Sequence, residues 1–299
     1  MLSLHTNVAS LSAQNSLTRT QTSLSTSMTR LSTGYRINSA MDDAAGLQIA
    51  TRLKSQSSGM AVAMRNTQNS ISMLQTADGA LNEVTNILTR MKDLATQAAD
   101  GSSSDDDKKA MDKEYNSLTD ELSNIFSNTK FGGTELLSTS ATGKLASAAG
   151  ITFQIGADSS EKMTANFDTE LAAAGGVTDL ITTATTGFVS NAAGAAIPAS
   201  AGTMLFTDAN TAIGSLNKAI DGVSTLRSKL GAVSNRLDHV YNNLSNISSN
   251  TQAATGRIMD VDFATESSSM TSNQMLMQAG TAMLKQTNSM SSMVMSLLQ

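Results

Sequence analysis

The chain has 299 residues, one proline, no cysteine, no tryptophan and 3% aromatics. That is long enough for one or two domains with a core, and it favours long helices over sheets. A formal net charge of −5 at pH 7 gives no electrostatic case for nucleic acid. The lack of cysteine excludes disulfides and thiolate metal sites and fits oxidising or extracellular surroundings.

The opening MLSLHTNVASLSAQNS has no basic stretch followed by an apolar run, so no signal peptide is expected. Nor is membrane insertion, because no run approaches the roughly 18 apolar residues of a membrane span. Leu4, Val8 and Leu11 are spaced by four and three, and Leu24, Met28 and Leu31 repeat that spacing, with Leu17 a heptad before Leu24. The register slips by one residue between the two sets. A narrow apolar seam of this kind predicts a coiled-coil helix rather than one lying on a broad core. The pattern is then interrupted within LSTGYRINSAMDDAAGLQIATRL (31–53), which holds Gly34, Arg36, Asn38-Ser39 and Asp42-Asp43.

From 74 to 98, Leu74, Ala77, Leu81, Val84, Leu88, Met91, Ala95 and Ala98 alternate strictly by three and four. GSSSDDDKK (101–109) breaks this helix. Ser104 is placed to cap the next one, with Asp105–Asp107 in its positive first turn rather than in a metal site. Met111, Tyr115, Leu118, Leu122 and Ile125 continue at helical spacing. FGGTELLS is a turn-rich exit. ITFQIGADSSEKMTANF (151–167) predicts a β-hairpin around a polar turn. Residues 172–204, which include Pro198, are rich in Ala, Gly, Thr and Ser with little periodicity. They read as a loop or a small surface subdomain.

Helix is expected again from a cap at Asp208. Leu226, Leu230, Val233, Leu237, Val240, Leu244 and Ile247 hold the heptad, which continues in phase through Thr251, Ala254, Ile258 and Val261. Ile213, Leu216, Ile220 and Val223 extend it upstream, with one irregular step at Leu226. One helix of nearly fifty residues, about 70 Å, is implied, and it needs partners along its whole length. After Glu266 the one remaining charge is Lys285, and seven methionines fall between 270 and 295. Leu276, Met283, Met290 and Leu297 recur every seven residues, and Met277, Leu284 and Leu298 widen that stripe. A hairpin of the two chain ends buries too little apolar surface to offset the ordering of its backbone. Contact with other copies is therefore expected. The rival, an interfacial membrane helix, normally carries Lys or Arg on its polar face. The methionines read as packing rather than metal or redox chemistry.

The stretch at 31–53 is thus a joint between the terminal helix and a bundle. Its counterpart is TGRIMDVDFATES (255–267), with Gly256, Arg257, Asp260 and Asp262. Either Arg36 and Arg257 cross-pair with the acidic clusters, or the joint is ordinary turn chemistry with solvated charges. His5 and His239 lie far apart and read as unrelated. No nucleophile with a base, no metal cluster and no phosphate loop is apparent, so neither an enzyme nor a cofactor is expected.

RLSTGYRINSAMDDAAGLQIATRL closely resembles the N-terminal signature of bacterial flagellins. ISMLQTADGALNEVTNILTRMKDLATQAA resembles the family's next helix, FQIGAD its hairpin, and RIMDVDFATESSSMTSNQMLMQAGTAMLKQTNSMSSMVMSLLQ its C-terminus. The short middle and abundant methionine resemble lateral-type flagellins. The resemblance covers about 1–167 and 205–299. It implies a mainly α fold: an elongated antiparallel helical bundle or coiled coil with paired terminal helices and a small β-hairpin region. Residues 1–44 and 260–299 would form the inner tube of a filament. Residues 45–175 and 205–259 would form the outer tube, and 176–204 a short variable surface segment. The polymer contacts would be Leu4, Val8, Leu11, Leu24, Met28, Leu31, Leu276, Met283, Leu284, Met290, Val294 and Leu297.

The resemblance further implies unfolded export by the flagellar type III apparatus. A cytosolic export chaperone would cover the C-terminal helix, and filament cap and hook-associated proteins would be partners. LTRMKDLATQ resembles the flagellin segment read by the animal Toll-like receptor for flagellin, which points to Arg90, Leu94 and Gln97, with Glu114 from KEYNSLTDEL. Met91, Lys92 and Asp93 depart from the commonest pattern there. Three functions remain at this point: a self-assembling filament subunit, a hook–filament junction protein, and a secreted membrane-interacting translocator.

Overall fold

A computed structural model describes residues 7–138, 143–171, 175–185 and 204–297, leaving aside the side chains at 204–208 and 290–297. In chain order the elements are α1 (Val8–Thr33), α2 (Ala44–Ala98), α3 (Asp105–Asn128), β1 (Lys130–Phe131), β2 (Thr134–Glu135), β3 (Ile151–Gln154), β4 (Lys162–Ala165), α4 (Asp168–Leu171), α5 (Val177–Thr185), α6 (Met204–Met259) and α7 (Phe263–Leu297). They fall into two compact units: residues 1–57 with 248–299, and residues 58–247. The expected domain limits at 44 and 260 follow the turns of the chain. The compact units divide instead within α2 and α6, which run unbroken for 55 and 56 residues.

The unit 58–247 holds the core. All eight seam residues expected on α2, from Leu74 to Ala98, are buried. On α3, Met111, Tyr115 and Leu122 are buried, but so are Thr119 and Phe126, while Leu118 and Ile125 pack only partly. The face of α3 is therefore broader than a heptad seam. Its start is as expected: Ser104 Oγ accepts from the Asp107 amide at 3.2 Å, and the Asp107 carboxylate accepts in return from the Ser104 amide, closing a capping box.

From 209 to 237 the buried residues of α6 are Ala209, Ala212, Leu216, Ala219, Val223, Leu226, Leu230, Val233 and Leu237. These follow an unbroken three–four alternation, so the irregular step expected at Leu226 does not exist. Ala212 and Ala219 occupy the seam, and the larger Ile213 and Ile220 flank it. The helix also begins at Met204, which places Asp208 inside it rather than at its cap. A shift comes further on: Ser248 and Thr251 are buried while Ile247 is exposed.

Two antiparallel hairpins cover this bundle. β1 and β2 turn through Gly132 and Gly133, both at positive φ (57° and 81°), as a tight two-residue turn requires. β3 pairs β4 from Ile151↔Ala165 to Gln154↔Lys162, the hairpin expected from the sequence. Phe153, Met163 and Ala165 face the core. The region beyond it differs from expectation. Residues 177–185 are not loop but helix α5, with Val177, Ile181 and Ala184 fully buried. Tyr115 Oη donates to the Ala184 carbonyl at 2.7 Å, fixing α5 to α3. Burial holds the Tyr115 hydroxyl protonated well beyond the ordinary tyrosine range. The rest of the low-periodicity segment, 186–203, lies outside the described residues.

Candidate assembly interface

In the unit of the chain ends, α1 packs on α7. The partners run in opposite order along the two helices. Asn7 Nδ2 donates to the Thr287 carbonyl (3.4 Å), Leu17 faces Gly280, and Arg30 pairs with Glu266 (3.7 Å). The pair is therefore antiparallel. On α1 the inward residues are Ser10, Ala13, Leu17, Thr20, Leu24, Ser27 and Leu31, in one heptad register. The one-residue slip expected from Leu4, Val8 and Leu11 is absent. Small and polar residues carry the register where leucines do not, which is why apolar spacing alone misplaced it. Thr20 is tolerated because its hydroxyl donates to the Ser16 carbonyl of its own helix (3.0 Å). On α7 the matching positions are Glu266, Met270, Asn273, Met277, Gly280, Leu284 and Thr287. A Cβ at Gly280 would lie 3.2 Å from Leu17 Cδ1, so glycine here permits close approach.

This seam uses little of the apolar surface that the pair carries. Leu24 is 6% exposed, but Val8, Leu11 and Met28 on α1 lie off the seam and are more than half exposed. On α7, Leu276 and Met283 are 58% and 63% exposed, with Phe263 and Met275 similar. The sequence grouped 276/283 with 277/284 as a single stripe. The structure separates them, with Met277 and Leu284 on the seam and Leu276 and Met283 on an open flank. Leu4 lies outside the described residues, as do the side chains of Met290, Val294 and Leu297.

The joint is turn chemistry. α1 ends at Gly34, whose left-handed backbone (φ 76°) lets its amide donate to the Arg30 carbonyl. Tyr35 bridges Asp260, with the Arg36 amide donating to Met259 (2.6 Å) and the Val261 amide to Gly34 (3.0 Å). Asp42 Oδ2 accepts from the amides of Ser39 (2.9 Å) and Asn38 (3.0 Å), and Asn38 Nδ2 donates to Tyr35. Asp43 accepts from the Gly46 amide (2.8 Å) at the start of α2. Asp262 accepts from Thr265 Oγ1 (2.8 Å) and the Ala264 amide (3.0 Å) at the start of α7. The backbone donors of Ser39 and Asn38 hold the Asp42 carboxyl below the usual range, and Thr265 does the same for Asp262. Arg36 Nη2 donates to the Ile258 carbonyl (3.0 Å). Among the described residues, neither Arg36 nor Arg257 forms an ion pair with these carboxylates. Sequence reasoning missed Ile37, buried between these turns at 2% exposure. A lone isoleucine in a polar stretch carries no period to reveal it.

Of the four receptor-candidate residues, Arg90 and Glu114 are joined: Arg90 Nε and Nη2 both donate to Glu114 Oε1, at 2.9 and 2.7 Å. Gln97 is exposed on the same helix. Leu94 is 3% exposed and belongs to the core. It cannot present its side chain outward, because it is packed into the core cluster beside the α2 seam. Among the described residues no three His, Asp or Glu side chains gather to hold a metal, and no helix is long and apolar enough to cross a membrane.

Comparison with known proteins agrees with these features. Residues 4–142 match the bacterial flagellin N-terminal helical region, and 213–298 match the flagellin C-terminal helical region. Flagellin A of Vibrio anguillarum is 35% identical over 384 aligned positions covering 100% of both chains. Polar flagellin C of Vibrio parahaemolyticus is 34% identical over 389, again 100% of both. A Vibrio parahaemolyticus structure described as a flagellar hook-associated protein shares the fold, with a TM-score of 0.56 at 16% identity over 73% of this chain and 100% of that one. The full-length identity lies with filament flagellins, whereas the hook-associated likeness is one of fold alone. The chain therefore belongs to the bacterial flagellin family and is a structural subunit that polymerises into the extracellular flagellar filament.

Proposed function

We propose that the α1/α7 pair forms the inner tube of the filament and that copies contact one another through its open apolar flanks. The observation that carries this reading is the split on α7. One heptad row, Met277 and Leu284, faces α1, while the adjacent row, Leu276 and Met283, remains more than half exposed among the described residues. Burying each such side chain contributes about 1.5–3 kcal/mol. Polymerisation thus supplies the stability that the narrow seam lacks. The same flank on an unassembled chain is the surface that an export chaperone would cover before passage through the type III apparatus. Filament cap and hook-associated proteins would meet it at the growing tip.

The test is Met283→Asp and Leu276→Asp in the full chain. Both are expected to abolish polymerisation, followed by sedimentation and negative-stain microscopy, without changing the helical circular dichroism of the monomer. Normal filaments from both variants would exclude this flank as a contact.

A further inference from the structure

The exposed methionines among the described residues fall in one unit of the molecule. Among the described residues, Met28, Met41, Met275 and Met283 are exposed, and all belong to the unit of the chain ends. In the unit 58–247 the described methionines are buried or partly buried; Met91, Met60 and Met163 are at most 5% exposed. We propose that Met28, Met275 and Met283 are sites of reversible oxidation by hydroperoxides and that their sulfoxidation switches off polymerisation while leaving the folded core untouched. This rests on the reading of the open flank as the polymer contact.

In the reaction the thioether sulfur attacks a peroxide oxygen. An S–O bond forms, the O–O bond breaks, and the departing hydroxide takes up a proton to leave as water. Sulfur is oxidised by two electrons and the peroxide is reduced by two. The rate depends on access of the oxidant to sulfur, which the exposed side chains allow and the core denies. The product is a polar acceptor on a side chain that must be desolvated in the contact. Leucine at these positions would pack with similar volume and could not be oxidised. The use of methionine in its place makes assembly competence sensitive to the surroundings. Met41, 96% exposed but in the joint rather than on the flank, is an internal control: it should oxidise most readily and matter least.

The experiment treats purified full-length monomer with hydrogen peroxide, maps sulfoxides by peptide mass spectrometry and measures the critical concentration for seeded polymerisation. Sulfoxide is expected at 28, 41, 275 and 283 before 60, 91 or 163, with an unchanged thermal transition of the core. The critical concentration should rise at least about tenfold. Treatment with methionine sulfoxide reductases and a dithiol, which is oxidised to its disulfide as the sulfoxide oxygen leaves as water, should reverse that rise. The triple variant Met28→Leu, Met275→Leu, Met283→Leu should polymerise equally well before and after peroxide, whereas Met41→Leu should lose assembly like the parent. Oxidised parent that polymerises normally, or a triple variant inhibited as strongly as the parent, overturns the proposal. Unoxidised Met283→Asp separates the two levels. If it fails to assemble while oxidised parent assembles, oxidation alone is refuted. If it and Leu276→Asp both assemble normally, the contact reading and this proposal fall together.

Discussion

Asp42 and Asp262 each hold one turn of the joint, and both titrate below the ordinary 3.8 because neighbouring amides and hydroxyls donate to the ionised form. Their contribution is complete above the unfolded value and is lost as pH falls through the lowered folded value. Acidification from pH 5 to below pH 3 should therefore expose the Asn38 and Ser39 amides. This is readable as faster hydrogen exchange after correction for the intrinsic rate, and Asp42→Asn should flatten that pH dependence. Both groups are exposed, so the effect is local fraying rather than global unfolding. Arg90 calls for the opposite expectation. Its ion pair with Glu114 is about half exposed on both sides, and such pairs contribute about 0–1 kcal/mol. Arg90→Ala should leave the melting temperature nearly unchanged. If the pair is the receptor surface, Arg90→Ala and Glu114→Ala monomers should each lose signalling in a reporter assay for the animal Toll-like receptor. Full potency in both would remove this face from consideration. Leu94→Ala would be uninformative there, since it hollows the core.

Among the elements, α5 departs furthest from its sequence. Nine residues, VTDLITTAT, span barely two and a half turns and sit in a stretch of alanine, glycine and threonine. Too few apolar positions repeat for a period to show. Tertiary contact supplies the helix: Ile181 and Val177 are fully buried, and Thr178 Oγ1 donates to the Leu171 carbonyl at 2.8 Å. Ile181→Asp should destabilise the unit 58–247 by more than about 3 kcal/mol, because an uncompensated charge enters an apolar site. Replacing 186–203 by a short Gly/Ser linker should leave the denaturation midpoint within error. A large loss from the linker, or none from Ile181→Asp, would contradict these expectations.

At the scale of the whole chain, the two units differ in how they are stabilised. The unit 58–247 closes its own core with dozens of buried apolar side chains, whereas Leu24 and Ile37 are the large buried residues described among the α1 and joint segments of the other unit. Local opening follows the density of buried contacts. Limited proteolysis of dilute monomer should therefore remove both ends and leave a fragment close to 58–247, while filaments resist. Equal resistance of residues 263–289 in dilute monomer would contradict dependence on neighbouring copies.

The sequence by itself determined the long helices, the Ser104 cap of α3 and the seam of α2, because heptads of large apolar residues, a Ser-x-x-Asp start and glycine at a helix end each act over a few neighbouring residues. It also located the joint, through Gly34, Asn38 and the paired aspartates, and the β3–β4 hairpin. What it did not decide was register wherever small residues carry the contact. Ala212 and Ala219 on α6, and Ser10, Ala13 and Ser27 on α1, face inward beside larger side chains that do not. The partner helix chooses between two adjacent rows of a helix face by how closely two backbones can approach. That distance is a property of both helices together, so only the tertiary structure revealed that Met277 and Leu284 pack within the chain while Leu276 and Met283 stay exposed.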